Sequence, residues 1–202
     1  MGIQQQLLTA LLACAALCQA SASARTTQYL PLEQGWSLQS SAKLKTGGEV
    51  LSTLAYHPTD WQSTTVPNTV VSALVANKVY PDPYFGKNLR SIPGATYPIG
   101  ENFSNLPMPA DSPFGVSWWY RHEFTAPEEF TGKRVALHLD GVNYRANVWI
   151  NGNKVADSAQ IVGTWRLFEI DVTKNLQLGT TNVLAIQVFP PSERDLAITF
   201  VD

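Results

Sequence analysis

Cysteine is almost absent from the 202 residues. Cys14 and Cys18 both fall within the first two dozen positions, and the 178 residues after position 24 (202 less 24) have none. No disulfide framework and no Cys/His metal spacing is available there. That part of the chain has to be stable through a packed core, which its length is enough to supply. Charge is scarce as well. Fourteen basic residues stand against sixteen acidic ones, a formal net charge of −2, and charged residues make up only 15% of the chain. Without a basic stripe or an arginine-rich run, nucleic acid is excluded as a partner. The apolar run Leu7 to Leu17 is too short to span a bilayer. No P-loop, no GxGxxG and no G-x-S-x-G elbow occurs, and neither a cofactor nor a metal is implied.

The short apolar run has another use. Followed by the small-residue pattern Ala22-Ser23-Ala24 before Arg25, it reads as the h-region of a secretory signal at 1–24, although the n-region MGIQQQ lacks Lys and Arg. A bacterial lipoprotein signal is the weaker reading, because Cys14 lies inside the h-region. The expectation is cleavage after Ala24 and a secreted or periplasmic domain over 25–202. Asn102-Phe103-Ser104 is a glycosylation sequon that matters only in a eukaryotic host.

From Trp118 to Phe189 the chain reads as one strand after another. Period-two alternation puts Trp118, Tyr120, His122 and Phe124 on one side, with Trp119, Arg121 and Glu123 on the other. Val135, Leu137 and Leu139 repeat the pattern. Tyr144, Ala146, Val148 and Ile150 do so again, opposite Asn143, Arg145, Asn147 and Trp149. Asn151-Gly152 then closes a hairpin, since both residues tolerate the positive φ of a type I′ turn. Phe168, Ile170 and Val172 form a further strand, and Leu184, Ile186 and Val188 another after a Gly179 to Asn182 turn. Half-buried strands in succession, without long helices between them, describe an all-β antiparallel sandwich with jelly-roll topology. The expected core comprises Trp36, Tyr120, Phe124, Val135, Leu137, Leu139, Ala146, Val148, Ile150, Phe168, Ile170, Leu184, Ile186 and Val188.

Ahead of these strands, Gln34 to Leu38 is a first strand in which Trp36 and Leu38 share a face. Lys43 to Tyr56 reads as a loop and a weaker strand interrupted at Gly47-Gly48, and Trp61 to Val66 as a third strand ended by Pro67. Asn68 or Thr69 caps a short helix, Val70 to Asn77, with Val70, Val71, Leu74 and Val75 on one face, closing an end of the sandwich. The stretch 79–116 is dense in Pro and Gly yet carries Tyr80, Tyr84, Phe85, Tyr97, Phe103 and Phe114. A loop this long and this aromatic either packs on a neighbour or contacts a ligand.

The runs WWYRHEF (118–124), LHLDGVNYRANVWINGNKV (137–155) and the 182–189 strand together resemble the N-terminal sugar-binding domain of glycoside hydrolase family 2, whose fold is a galactose-binding-like jelly roll. VYPDPYFGKNLR (79–90) and DLAITFVD (195–202) are most similar to its exo-β-D-glucosaminidase and β-mannosidase branch. The resemblance implies a carbohydrate partner, the non-reducing end of a β-glucosaminide or β-mannoside. In that family the acid and nucleophile are carried by a barrel further along the chain. It therefore implies no catalytic residue here, and C-terminal domains of the same protein as partners. It also places the 195–202 segment beside the sugar, which makes Asp202 a candidate contact, its carboxylate able to meet the amine of a glucosaminide.

Read as residues, the candidate sugar contacts are Tyr84, Phe85, Asn88 and Arg90. Aromatic rings stack on the apolar face of a pyranose, while an amide and a guanidinium hydrogen-bond its hydroxyls. Asn88 and Arg90 serve equally well as braces of a loop–domain interface. Glycoside hydrolysis needs two matched carboxylates, and neither Glu128-Glu129 nor Asp140, Asp157 or Asp171 forms such a pair. His138 is expected to be solvated and His122 packed, neither acting as a base. Three functions stay open: the leading domain of a secreted exo-β-glycosidase that binds without hydrolysing, a free-standing carbohydrate-binding module, and a small hydrolase. The apolar ending Phe200-Val201-Asp202 favours the first.

Overall fold

The computed structural model of the protein describes residues 27–93, 112–192 and 195. The expected leader at 1–24, the sequon at Asn102, the aromatics Tyr97 and Phe103, and Asp202 all lie outside the described residues. The chain divides into two compact units, Met1–Pro31 and Leu32–Asp202. Every element described below belongs to the second.

Among the described residues eight strands are formed: β1 (Trp36–Ser40), β2 (Gln62–Thr64), β3 (Trp118–Thr125), β4 (Ala136–Leu139), β5 (Arg145–Ile150), β6 (Asn153–Val162), β7 (Phe168–Asp171) and β8 (Thr181–Phe189). Six of them make one sheet in the order β2-β1-β3-β8-β5-β6, and β4 pairs with β7 in a second. All pairings are antiparallel, so the all-β sandwich expected from the alternation is the fold. Asn151 (φ 49°) and Gly152 (φ 84°) turn β5 into β6. The Asn151 amide also accepts from Val183 N–H and donates to Asn175 O, which stitches the hairpin to β8.

Between the sheets lies the principal core. Trp36, Ala146, Val148, Ile150, Phe168, Leu184 and Ile186 are buried in it, with Tyr120, Phe124, Val135, Leu137, Leu139, Ile170 and Val188 packed against them. Each residue of the expected core is in this one cluster. Ala156 and Ile161 of β6 join it, on a strand that the alternation alone did not mark out.

The central strands are not half-buried, as their alternation predicts, but buried on both faces. Trp119, Trp149 and Ala185 point away from the core just described and are covered by Leu51, with Leu44, Tyr56 and Trp61 around them. The cover comes from the segment between β1 and β2. It is not the weak strand expected at 43–56. It forms a 3₁₀ turn, Ser41–Lys43, and a single α-turn, Gly48–Leu51. The physical reason lies at Gly48, which sits against the Trp149 indole so closely that a Cβ would overlap ring carbons Cδ2, Cε2 and Cε3. Ser52 then fixes the turn, its hydroxyl donating to Gly48 O (2.6 Å) and accepting from Gly152 N–H (2.9 Å). Gly48→Ala should therefore cost about 1–3 kcal/mol, the usual range for overpacking, and should alter the near-ultraviolet circular dichroism of the tryptophans. An unchanged denaturation midpoint would show that the turn can lift away from the indole.

At one end, Thr69 caps the helix Val70–Ala76 by accepting from Ser72 N–H (3.1 Å). The helix stops one residue earlier than expected because Asn77 is its C-cap, donating its amide to Ala73 O and Ser63 O. Ala73 and Leu74 are its buried residues, packed with Val70 on Leu38 and Trp118. Val71 and Val75, expected on the same face, are only half-buried.

Candidate functional site

Beyond this helix the backbone runs through consecutive tight turns. Asp82 starts them, its Oδ1 accepting from Tyr84 N–H (2.9 Å) and its carbonyl from Phe85 N–H (3.2 Å). Gly86 (φ 58°) turns the chain. Asn88 N–H then bonds Phe85 O, Arg90 N–H bonds Lys87 O, and Ser91 Oγ donates to Asn88 O (2.7 Å). Buried Ile92 anchors the far side. The 3₁₀ turn Asn88–Ser91 thus holds two of the predicted sugar contacts directly after the other two.

Accessibility separates the aromatics of the 79–116 stretch into two kinds. Tyr80 and Phe114 pack on the Leu38–Trp118 cluster, their ring centroids 6.3 Å apart. Tyr84 and Phe85 are 97% and 74% exposed. Two rings held out into solvent on a hydrogen-bonded turn are unusual for a packing role and suit stacking on a ligand face. Asn88 is half-buried and Arg90 exposed at the base of the turn. Within the described residues these four lie together on one run of turns. Asp202, the fifth candidate, lies outside them.

A second group at the loops was not singled out in the sequence. Asp195 is buried and receives Arg145 Nε (2.7 Å), Ser192 N–H (2.9 Å) and Ser192 Oγ (2.8 Å). The Arg145 hydrogen bond, followed by that from Ser192 N–H, holds its carboxyl below the usual aspartate value. Asp195 thereby ties the chain after β8 to the start of β5. Between β6 and β7, Trp165 (φ 61°) and Leu167 are 94% and 77% exposed, on a loop braced by Arg166 Nη1 donating to Val162 O (3.0 Å). The available sign was Gly163-Thr164-Trp165, an aromatic just after a glycine turn.

The remaining candidates take the places expected of them. His122 is buried, stacked 4.9 Å from Trp36 and within 3.0 Å of Gly35 O. His138 is exposed beside Glu169. Glu128, Glu129, Asp140, Asp157 and Asp171 all face solvent. Among the described residues no group of three His, Cys, Asp or Glu side chains is placed to hold a metal ion, and no helix is long and apolar enough to cross a membrane.

Residues 110–199 match the family model described as the glycosyl hydrolase 2 galactose-binding domain-like family. Together with the sandwich, this makes the domain a galactose-binding-like domain of glycoside hydrolase family 2. An exo-β-D-glucosaminidase from Streptomyces avermitilis is 30% identical over 169 residues, 83% of this chain and 16% of that protein. A mannosylglycoprotein endo-β-mannosidase from Lilium longiflorum is 29% identical over 165 residues, 79% of this chain and 15% of that one. The solved exo-chitosanase CsxA of Amycolatopsis orientalis superposes with a TM-score of 0.67 at 28% identity, covering 82% of this chain and 17% of its own. The chain thus spans about one sixth of the length of these relatives.

Proposed function

We propose that this chain supplies the sugar-binding sandwich of a secreted or periplasmic family 2 exo-β-glycosidase acting on β-glucosaminides or β-mannosides. The observation that carries the reading is the turn at 84–90, where two nearly bare aromatic rings stand directly before an amide and a guanidinium. The similarity to exo-β-D-glucosaminidases supports the sugar class. In this reading the catalytic carboxylates are carried by other domains. It walls one side of an exo-type pocket, with Tyr84 and Phe85 stacking on the pyranose, Asn88 and Arg90 meeting its hydroxyls, and Asp202 pairing with an amine. The rest of that pocket belongs to further domains of the same enzyme.

One wall binds weakly. A dissociation constant around millimolar, about −4 kcal/mol, is expected for glucosamine or mannose. The test is to titrate both sugars into the 202-residue chain while following amide resonances. Saturable movement of Tyr84 to Arg90, abolished in Tyr84→Ala/Phe85→Ala, is expected, together with no release of nitrophenol from β-glucosaminide or β-mannoside. Immobile resonances at 84–90 and 202 under high sugar would leave the domain a scaffold only.

A further inference from the structure

The outer face of the six-stranded sheet holds a polar cleft of about 280 Å³ between Gly47–Glu49 and the sheet surface. Its floor is set by strand register. Trp119 of β3 faces Gln187 of β8, which faces Asn147 of β5, and in the adjoining row Trp149 of β5 faces Lys154 of β6. The register of β5 against β6 shifts on either side of Val148, a bulge of the kind that re-aims a side chain. Asn147 stands beside that bulge, and its Oδ1 accepts from Ser158 N–H (2.8 Å).

Counting donors and acceptors shows what the cleft still offers. Asn147 Nδ2 donates one hydrogen to Gln187 Oε1 (3.3 Å), and Gln187 Nε2 donates one to Ser117 Oγ (2.9 Å). Each amide therefore keeps a second N–H. Trp149 Nε1–H donates to Glu49 Oε1 (3.1 Å), which leaves Glu49 Oε2 as an acceptor at the rim. That carboxyl is held below its usual value, first by a backbone hydrogen bond at Glu49 and then by the Trp149 hydrogen bond. Lys154 Nζ lies 4.8 Å from the Trp149 ring centroid, with ammonium hydrogens to spare.

An anion would meet the Glu49 carboxylate, and an apolar guest would strand amides and charges on every side. Vicinal hydroxyls, each both donor and acceptor, satisfy such a set. The volume falls just below the range of about 300–1,000 Å³ typical of drug-sized ligands, so there is room for one ring. We propose that this cleft is a second carbohydrate subsite, which holds a single hexopyranose on the outer sheet face through Glu49, Asn147, Gln187 and Lys154. The buried indoles of Trp119 and Trp149 form its floor and do not stack on the guest, since both are nearly fully covered. The inference goes beyond the site at 84–90 and shares no residue with it.

Glucosamine and mannose titrated into the full chain test it, with the Trp149 indole N–H and the Asn147 and Gln187 side-chain amides as reporters and glycerol as the control polyol. The expected result is saturable movement of these signals by sugar and not by glycerol. Affinity should fall roughly tenfold in Glu49→Gln or Asn147→Ala, the effect of losing a hydrogen bond to a charged or buried group, and should stay unchanged in Tyr84→Ala/Phe85→Ala. Should Asn147→Ala fail to fold, Glu49→Gln and the surface variant Lys154→Met decide. Static reporters, an equal response to glycerol, or loss of the response in the Tyr84→Ala/Phe85→Ala variant would overturn the subsite. Movement confined to 84–90 overturns it while leaving the proposed function standing, and movement confined to the cleft does the reverse.

Discussion

Val148→Asp is expected to abolish the cooperative melting transition of the domain. Val148 is fully buried at the centre of the core between the sheets, paired with Ile186 of β8 on one side and Ala156 of β6 on the other. Ala146, Ile150 and Leu184 share its cluster, and the polar groups of that cluster, the Trp36 indole N–H and the Tyr120 hydroxyl, already donate to Leu32 O and Asn68 O. A carboxylate taken out of water without a partner costs several kcal/mol even after the protein relaxes. Domains of this size have only about 5–15 kcal/mol of net stability. Thr125→Asp, at the exposed end of β3, places the same group on the same sheet in water and should shift stability by no more than about 0.5 kcal/mol. Thermal unfolding followed by circular dichroism compares the two. A normal transition in Val148→Asp would mean that β5 does not face the core in the register described.

That prediction was legible in the sequence, and the reason defines how far sequence reading reaches here. A period-two pattern records which side chains share a face, so Tyr144 to Ile150, Phe168 to Val172 and Leu184 to Val188 assign themselves to a common interior. The pattern is silent about what covers the opposite face. Trp119, Arg121 and Trp149 alternate just as cleanly, and they are buried as well because the 41–61 segment folds across them. The explanation for that segment is distributed along the chain. Gly48 is required by the Trp149 ring, and Ser52 by the amide of Gly152. Neither constraint leaves a local mark beyond a glycine pair that reads equally well as a break in a strand.

The candidate site shows the same limit. Composition places aromatics in the 79–116 loop but does not say which of them are packed, and Tyr80 and Phe114 are, whereas Tyr84 and Phe85 are not. Trp165 carries a comparable turn-and-aromatic signature and is 94% exposed, but one exposed ring between two strands looks no different in sequence from one more core residue. The outer cleft could not have been read at all. Its members Glu49, Asn147 and Gln187 become neighbours only through strand register and a bulge.

The largest effect invisible in the sequence is expected at Arg121, whose replacement by Met should cost about 3–5 kcal/mol. Arg121 is 3% exposed in the middle of β3. Its Nε donates to Leu51 O (2.9 Å), its Nη2 to Thr53 O (3.1 Å) and Tyr56 O (3.3 Å), and its Nη1 pairs with Glu123 (2.7 Å). One planar guanidinium therefore fastens three carbonyls of the covering segment to the sheet, a geometry that a lysine ammonium cannot reproduce. The ion pair is the smaller contributor, because the Glu123 side chain is 45% exposed and such pairs contribute at most about 1 kcal/mol. The hydrogen bonds decide. Each buried carbonyl left without a donor costs about 1–3 kcal/mol, and Leu51, at 0% exposure, has no water to turn to. Glu123→Gln should accordingly lose under about 1 kcal/mol, and Arg121→Lys should fall between the two. Urea denaturation gives the three values, and hydrogen exchange at Ser52 and Gly152, whose amides are protected only while the segment stays down, gives the location. Equal losses in Glu123→Gln and Arg121→Met would shift the stabilisation to the ion pair and leave the carbonyl clamp without a role.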